Sequence, residues 1–345
     1  MNGISAVLIT KNESDVLERC IRSLAGLDQV IVHDTGSTDD TVEIARKLGA
    51  EVSRTVIEPF HFAKARNEAM MLAKNKWILS IDADDILRDG SMGKMFDVLA
   101  DPAVAGYRLN HENRAVEGGS VMVTPRLSLF RKGAWAWQYR IHERLFPLFP
   151  PAKVGYLPSC FIEHHPKEDK TERRAQNLDL LKMCIAENPQ YLFAYRQLGI
   201  EYVLLERWED AIAPLHAYVD AAVDPNDAPF ERAATRMHLA KCLSRTGKLA
   251  RALEEFDKAA EEAPKRREPL YWAAIECLVA GRPWDAIPWL KRCLEVPPWH
   301  YSSFSLYSNQ LQESLAQETL ADCEAMVEDA KKRLAAMKGG AGKGS

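Results

Sequence analysis

The sequence predicts an α/β domain built on a mostly parallel sheet, followed by a domain made of helices alone. Short apolar runs alternate with amphipathic stretches over residues 4–87, only helical periodicity remains from about Thr171 onward, and the helical part repeats itself at a fixed interval. The expected spans are 1–170 for the α/β domain, 171–337 for the helical domain and 338–345 for a disordered tail, KGGAGKGS.

Residues 4–10 form an apolar strand. Residues 14–24 form a helix with Val16, Leu17, Cys20, Ile21 and Leu24 on one face, and residues 30–33 form a second strand. Residues 41–48 and 63–73 are helical, and residues 77–81 are a third buried strand. Strands that read as continuous apolar runs, joined through helices, belong to a parallel sheet covered on both faces. Ligands of such sheets bind beyond the carboxyl ends of the strands. Polar residues sit at those ends: Lys11 and Asn12 after the first, Asp34 after the second, Asp82 and Asp84 after the third.

Two strand-like runs within 104–131 flank Glu117-Gly118-Gly119, the pattern of a hairpin. Residues 135–149 are aromatic and basic and are broken by Pro147, which predicts a loop over a site. Trp135, Trp137 and Tyr139 could line a ligand pocket by stacking, although their spacing of two also fits one face of a strand.

In the helical part, Leu239-Ala240, Gly247, Ala252, Phe256, Ala259 and Pro264 match Ala273-Ala274, Gly281, Ala286, Leu290, Cys293 and Pro298, each 34 residues further on. That interval, with small residues and an aromatic at those places, is the tetratricopeptide period. Leu198-Gly199, Tyr202, Ala211 and Leu215 form an earlier copy, set apart by an insertion at 224–229. A helix at 177–187 precedes the three repeats and a capping helix at 320–336 follows them. Tyr195, Tyr202, Trp208 and Trp272 serve equally well as packing or as contact residues.

Composition narrows the function. A net charge of −4 and a pI near 6.2 provide no basic field for duplex nucleic acid, which is not an expected partner. Seven scattered cysteines without a Cys-x-x-Cys pair read as reduced core thiols. No stretch approaches the ~20 apolar residues of a membrane helix, and MNGISAVLITKNE lacks a basic start, so a cytoplasmic location is expected.

The chemistry centres on Asp82-Ala83-Asp84-Asp85 after the strand WILSI. Two carboxylates one residue apart at a strand end can give hard oxygen ligands to Mg²⁺ or Mn²⁺; an acidic turn in solvent is the plainer alternative. Upstream, in HDTGSTDDT, Gly36 permits a tight turn, Ser37 can bond locally, and Asp39 or Asp40 can cap the helix at Thr41. Turn and cap chemistry leave Asp34 unexplained, which assigns it to a nucleotide.

In order and spacing, ITKNE (9–13), DTGSTDDT (34–41), FAKARNEAM (62–70) and LSIDADD (79–85) resemble family-2 glycosyltransferases across residues 4–165. The resemblance implies a GT-A fold, a nucleotide-diphosphate sugar donor such as a UDP-sugar, and inverting transfer. It also implies that Asp84 is the metal ligand, that Asp82 faces the ribose or a metal-bound water, that Arg66 supports these carboxylates or the diphosphate, and that Thr10, Asn12 and Asp34 belong to the nucleotide site. Where many members have Asp-Asp-Gly-Ser, this chain has Asp34-Thr35-Gly36-Ser37. Ile141-His142-Glu143 and Ile162-Glu163-His164-His165 resemble later elements of the branch that joins such a domain to helical repeats. Glu143 is then the candidate general base, and His164 the candidate third metal ligand, with His142 and His165 as neighbouring alternatives.

The expected partners are a nucleotide-sugar, a peptide, protein or saccharide acceptor presented partly by the repeats, and a second copy of the chain. Two other functions fit less of the sequence. A non-catalytic interaction protein leaves Asp82, Asp84 and Glu143 without a role, and a nucleotidyltransferase normally has a Gly-rich phosphate loop, which KNES is not.

Overall fold

The computed structural model describes residues 3–113, 122–149, 153–165, 171–221, 229–297 and 309–340. They form two compact units, Met1–Asn188 and Pro189–Ser345.

The first unit opens with β1 (Ile4–Thr10), α1 (Leu17–Ser23), β2 (Gln29–Asp34), α2 (Thr41–Lys47), β3 (Glu51–Arg54), α3 (Phe62–Met71) and β4 (Trp77–Ser80). It continues with β5 (Asp85–Leu87), α4 (Ser91–Val98), β6 (Gly106–Asn113), β7 (Met122–Arg131), β8 (Trp135–Gln138), β9 (Arg144–Pro147), β10 (Val154–His164) and α5 (Thr171–Glu187). Among the described residues the sheet has eight strands in the order β3-β2-β1-β4-β7-β6-β10-β5. It is parallel from β3 to β4, antiparallel on both sides of β7, parallel between β6 and β10, and antiparallel at β5.

β1 is apolar throughout because both faces are covered. Ile4, Ala6 and Leu8 pack with Leu17, Cys20, Ile21 and Leu24 on one side, and Val7 packs with Ala69 and Met70 on the other. β3, with the sequence EVSR, is a partly exposed edge strand without an apolar run, which is why sequence periodicity passes over it. β6 and β7 pair as the expected hairpin; Glu117-Gly118-Gly119 lies outside the described residues.

Residues 135–149 differ from the expected loop. β8 and β9 pair from Trp135↔Pro147 to Gln138↔Arg144, forming a separate two-stranded ribbon. Trp135 is buried on it, its indole N–H donating to the Ala105 carbonyl at 2.9 Å. Pro147 stands at the ribbon's end, where a missing N–H costs little.

The second unit contains α6 (Leu192–Leu204), α7 (Trp208–Asp220), α8 (Pro229–Arg245), α9 (Leu249–Glu262), α10 (Glu268–Val279), α11 (Pro283–Glu295) and α12 (Asn309–Gly340). The first six form three helix pairs. Leu239, Ala240, Ala252, Phe256 and Ala259 are buried, as are Ala273, Ala274, Ala286, Leu290 and Cys293 one period later. Gly247 and Gly281 occupy the same turn of successive pairs in the left-handed region, with φ of 77° and 70°. Glu206 holds that place in the first pair with φ 56°. Gly199 lets α6 approach α7, since a Cβ there would lie 2.4 Å from Leu215. Pro298 lies outside the described residues. α12 starts earlier than the expected cap and runs to Gly340, into the stretch read as tail; α5, read as the helix before the repeats, groups with the first unit.

Candidate active site

Parallel pairing sets Thr10 against Asp34, bringing the ends of β1 and β2 together. The Thr10 carbonyl accepts from both the N–H and the hydroxyl of Thr35, at 2.8 and 2.9 Å. Thr35 therefore turns its side chain back into the fold. The Thr10 hydroxyl is buried with no hydrogen-bond partner among the described residues. Asn12, at φ 56°, donates its N–H to Ser37 Oγ and accepts the Thr38 N–H at 2.8 Å, tying the two strand-end loops together.

Asp34 is fully buried. Its carboxylate accepts the N–H groups of Gly36 and Ser37 and the Arg54 guanidinium at 3.0 Å. Asp34 is thus held by its own turn and by Arg54 on β3, a partner that sequence inspection overlooked. Of the two candidate caps, Asp39 accepts the Thr41 N–H at 3.1 Å, and its other oxygen accepts the Ser14 N–H. Desolvation works against the ionised form, but the bonds from Thr41 and Ser14 outweigh it and hold the Asp39 pKa down to about 2.

The acidic stretch is a tight turn. The Asp85 N–H donates to the Asp82 carbonyl at 3.1 Å, and the Asp82 N–H donates back to the Asp85 carboxylate at 3.2 Å. Asp85 opens β5, which pairs with β10 so that His164 faces Asp85. Nδ1 of His164 lies 2.9 Å from Asp85 Oδ1 and 3.6 Å from Asp84 Oδ1. One ligand atom from each of Asp84, Asp85 and His164 falls within 4.8 Å of the others, a spacing that fits a divalent cation. Burial first, and then the charge of Asp82, push the Asp85 pKa up to about 6, while its hydrogen bond to Asp85 raises that of His164.

Sequence inspection had named Asp84 and His164 but not Asp85. Its signal was present: a third acid in the same turn, at the first residue of the next strand. Of the neighbouring histidines, His165 donates its backbone N–H to the Asp84 carbonyl at 3.0 Å, and its ring lies 3.6 Å from Glu163. His142 is at φ 52° in the loop before Glu143 and is not in the cluster.

Asp82 has a different partner. Arg66, on α3, donates Nη2 to Asp82 at 2.7 Å and Nε to Glu143 at 2.5 Å. Desolvation would raise the Asp82 pKa, but Arg66 overrides it and holds that carboxyl below its usual range. The guanidinium lies over the Trp137 ring, 4.9 Å from the centroid. Trp137 is held in turn by Asn67, whose amide bonds its backbone N–H and C=O, each at 2.9 Å.

His111 on β6 was missed by sequence inspection, which had no local motif to find it. It is buried opposite Ile162, with Nε2 2.7 Å from Ser128 Oγ. Burial, helped by Arg126 and opposed by Asp82, drives its pKa down to about 3, so the ring beside the acidic turn is neutral.

Parallel strand ends converging on an acidic turn, a histidine and an arginine clasp define an α/β ligand-binding domain, here followed by helical repeats. Residues 5–150 match the model of glycosyl transferase family 2, and the first unit carries a domain of that family. An uncharacterized glycosyltransferase of Rickettsia conorii is 50% identical over 86 residues, covering 24% of this chain and 29% of that protein. A TPR repeat-containing protein of Synechococcus elongatus is 27% identical over 278 residues, covering 76% of this chain and 67% of that one. The chain thus spans less than a third of the length of the Rickettsia relative. Among solved structures, S. aureus TarS overlays with a TM-score of 0.43 at 15% identity, covering 69% of this chain and 53% of that one. No helix among the described residues is long and apolar enough to cross a membrane.

Proposed function

We propose that the chain is a cation-dependent, inverting glycosyltransferase that moves a sugar from a nucleotide-diphosphate donor, a UDP-sugar, to a hydroxyl or thiol of an acceptor. The observation that carries this proposal is the convergence of Asp84, Asp85 and His164 beside the Arg66-linked pair of Asp82 and Glu143, within a family-2 domain.

Asp84 and His164, with Asp85 either as a ligand or orienting His164, would hold the cation; an imidazole among oxygens suits Mn²⁺ better than Mg²⁺. Bound there, the cation supplies positive charge against the departing diphosphate. Thr10, Asn12 and Asp34 shape the nucleotide end of the cleft, the unpartnered Thr10 hydroxyl offering a bond to the ligand. Asp82 faces the ribose, and Arg66 fixes both Asp82 and Glu143. Glu143 takes the proton from the acceptor as the acceptor attacks the anomeric carbon, giving inversion in a single displacement. The repeat unit presents a peptide, protein or saccharide acceptor on its concave surface, and the enzyme works in the cytoplasm.

The test is thermal stability against UDP-, GDP-, CMP- and TDP-sugars with and without Mn²⁺, beside Asp84→Ala. A Mn²⁺-dependent shift with one donor, lost in the variant, is expected. No shift with any donor would leave the first unit a scaffold. Glu143→Gln should retain donor binding and lose about 10²–10⁴ in kcat; near-normal turnover would remove Glu143 as the base.

A further inference from the structure

Beside α3 lies a cavity of about 480 Å³, lined on one side by Lys64, Asn67 and Glu68 and on the other by Trp137, Gln138 and Tyr139, with Asn188 at its edge. None of Asp82, Asp84, Asp85, Glu143 or His164 lines it. Its size falls within the range of about 300–1,000 Å³ typical of small-molecule sites.

Its chemistry is specific. Two aromatic side chains supply apolar planes, and the Tyr139 ring is set edge-on to Phe146 with centroids 5.6 Å apart. Gln138 and Asn188 contribute planar amides that both donate and accept. Lys64 Nζ lies 4.0 Å from Glu68 Oε1, and burial lowers the pKa of His61, which also lines the cavity, so it has no excess of cations to attract a phosphate. Aromatic planes for C–H faces, planar polar groups for paired hydroxyls and balanced charge suit a neutral saccharide.

The wall is also continuous with the candidate site. The Trp137 ring that lines the cavity lies under Arg66, and its backbone is clamped to Asn67. Tyr139 sits in a left-handed conformation, φ 74°, in the loop that leads to Glu143. The Trp137 indole N–H is buried without an acceptor among the described residues.

We propose that this cavity is a neutral-saccharide subsite, separate from the cation cluster, that holds a sugar unit of the acceptor. The proposal rests on the glycosyl-transfer function above, but its test does not require turnover. The full chain is titrated with maltose, cellobiose and chitobiose, without nucleotide or metal, and followed by saturation-transfer NMR and calorimetry. At least one disaccharide should bind the wild type. Gln138→Trp and Asn188→Trp, which fill the cavity from its rim, should each weaken that binding about tenfold or more, leaving Mn²⁺ affinity unchanged. Asp84→Ala should keep the disaccharide and lose the Mn²⁺-dependent donor shift. Absence of binding to the wild type, or binding that survives both tryptophan variants, overturns the subsite. A disaccharide lost in Asp84→Ala but kept in Gln138→Trp places the sugar at the cation cluster and also overturns it. A donor shift absent from every protein while the tryptophan variants still lose the disaccharide sinks the transferase function alone.

Discussion

Arg66 grips Asp82 with Nη2 at 2.7 Å and Glu143 with Nε at 2.5 Å, joining two carboxylates from distant parts of the chain through one guanidinium. The Glu143 side chain is only 9% exposed and lies against this guanidinium, whereas Asp82 is 43% exposed and keeps access to water.

Arg66→Met should therefore destabilise the chain by about 3 kcal/mol, mostly through the stranded Glu143 carboxylate. Arg66→Lys should recover part of that stability and little of the activity, since one ammonium cannot span both acids as a planar fork does. Urea unfolding beside donor turnover separates the two effects; equal loss of both in Arg66→Lys would contradict the clasp.

The hydrogen bond to Asp85 raises the His164 pKa above its unfolded value, so in the metal-free protein this contribution is present at low pH and fades as pH rises through the folded pKa. A cation competes with the proton on the same ring, so metal binding has the opposite trend. The Mn²⁺-induced rise in Tm should grow from about pH 6 to about pH 8 and flatten in His164→Ala. A pH-independent shift in the wild type would remove His164 from the site.

Asp85 is an acid whose folded pKa, about 6, lies above its unfolded value. Folding therefore disfavours its ionised form, and the cost appears as pH rises from about 4 through about 6. Asp85→Asn should raise the Tm of the metal-free chain at about pH 8 while weakening Mn²⁺ binding about 10–100-fold. A lower metal-free Tm would show that the carboxylate is structural.

Asp39 has the opposite sign. Its folded pKa of about 2 lies below the unfolded value, so its contribution is present above about pH 4 and lost as pH falls towards 2. Asp39→Asn should lower Tm near neutral pH, and the gap from wild type should close across that acid window. A constant gap would point to shape rather than charge.

In the second unit, Glu206→Gly should raise stability by about 1 kcal/mol, because Glu206 occupies the left-handed turn that Gly247 and Gly281 fill in the later pairs. Gly199→Ala should cost about 1–3 kcal/mol by overpacking against Leu215. Thermal unfolding of both variants tests whether the three pairs share one geometry.

Much of this protein is legible from local chemistry alone. Continuous apolar runs marked β1, β2 and β4, and the polar residues at their ends pointed to the candidate site. A 34-residue interval located the helix pairs, and the order of short motifs identified the family-2 domain. These signals depend on neighbours a few residues apart, where side-chain period and turn geometry leave a trace in the sequence. The partnerships that build the site have no such trace. Arg66 meets Glu143 across 77 residues, His164 meets Asp85 across 79, and Arg54 saturates Asp34 from an edge strand too polar to announce itself. Residues 135–138 and 144–147, expected as a loop, found each other as a ribbon because their backbone groups had partners to pair with. Strand order and register set the contacts of His164 and Arg54, the packing of α3 against β8 accompanies that of Arg66, and all of them emerge only when distant segments fold together.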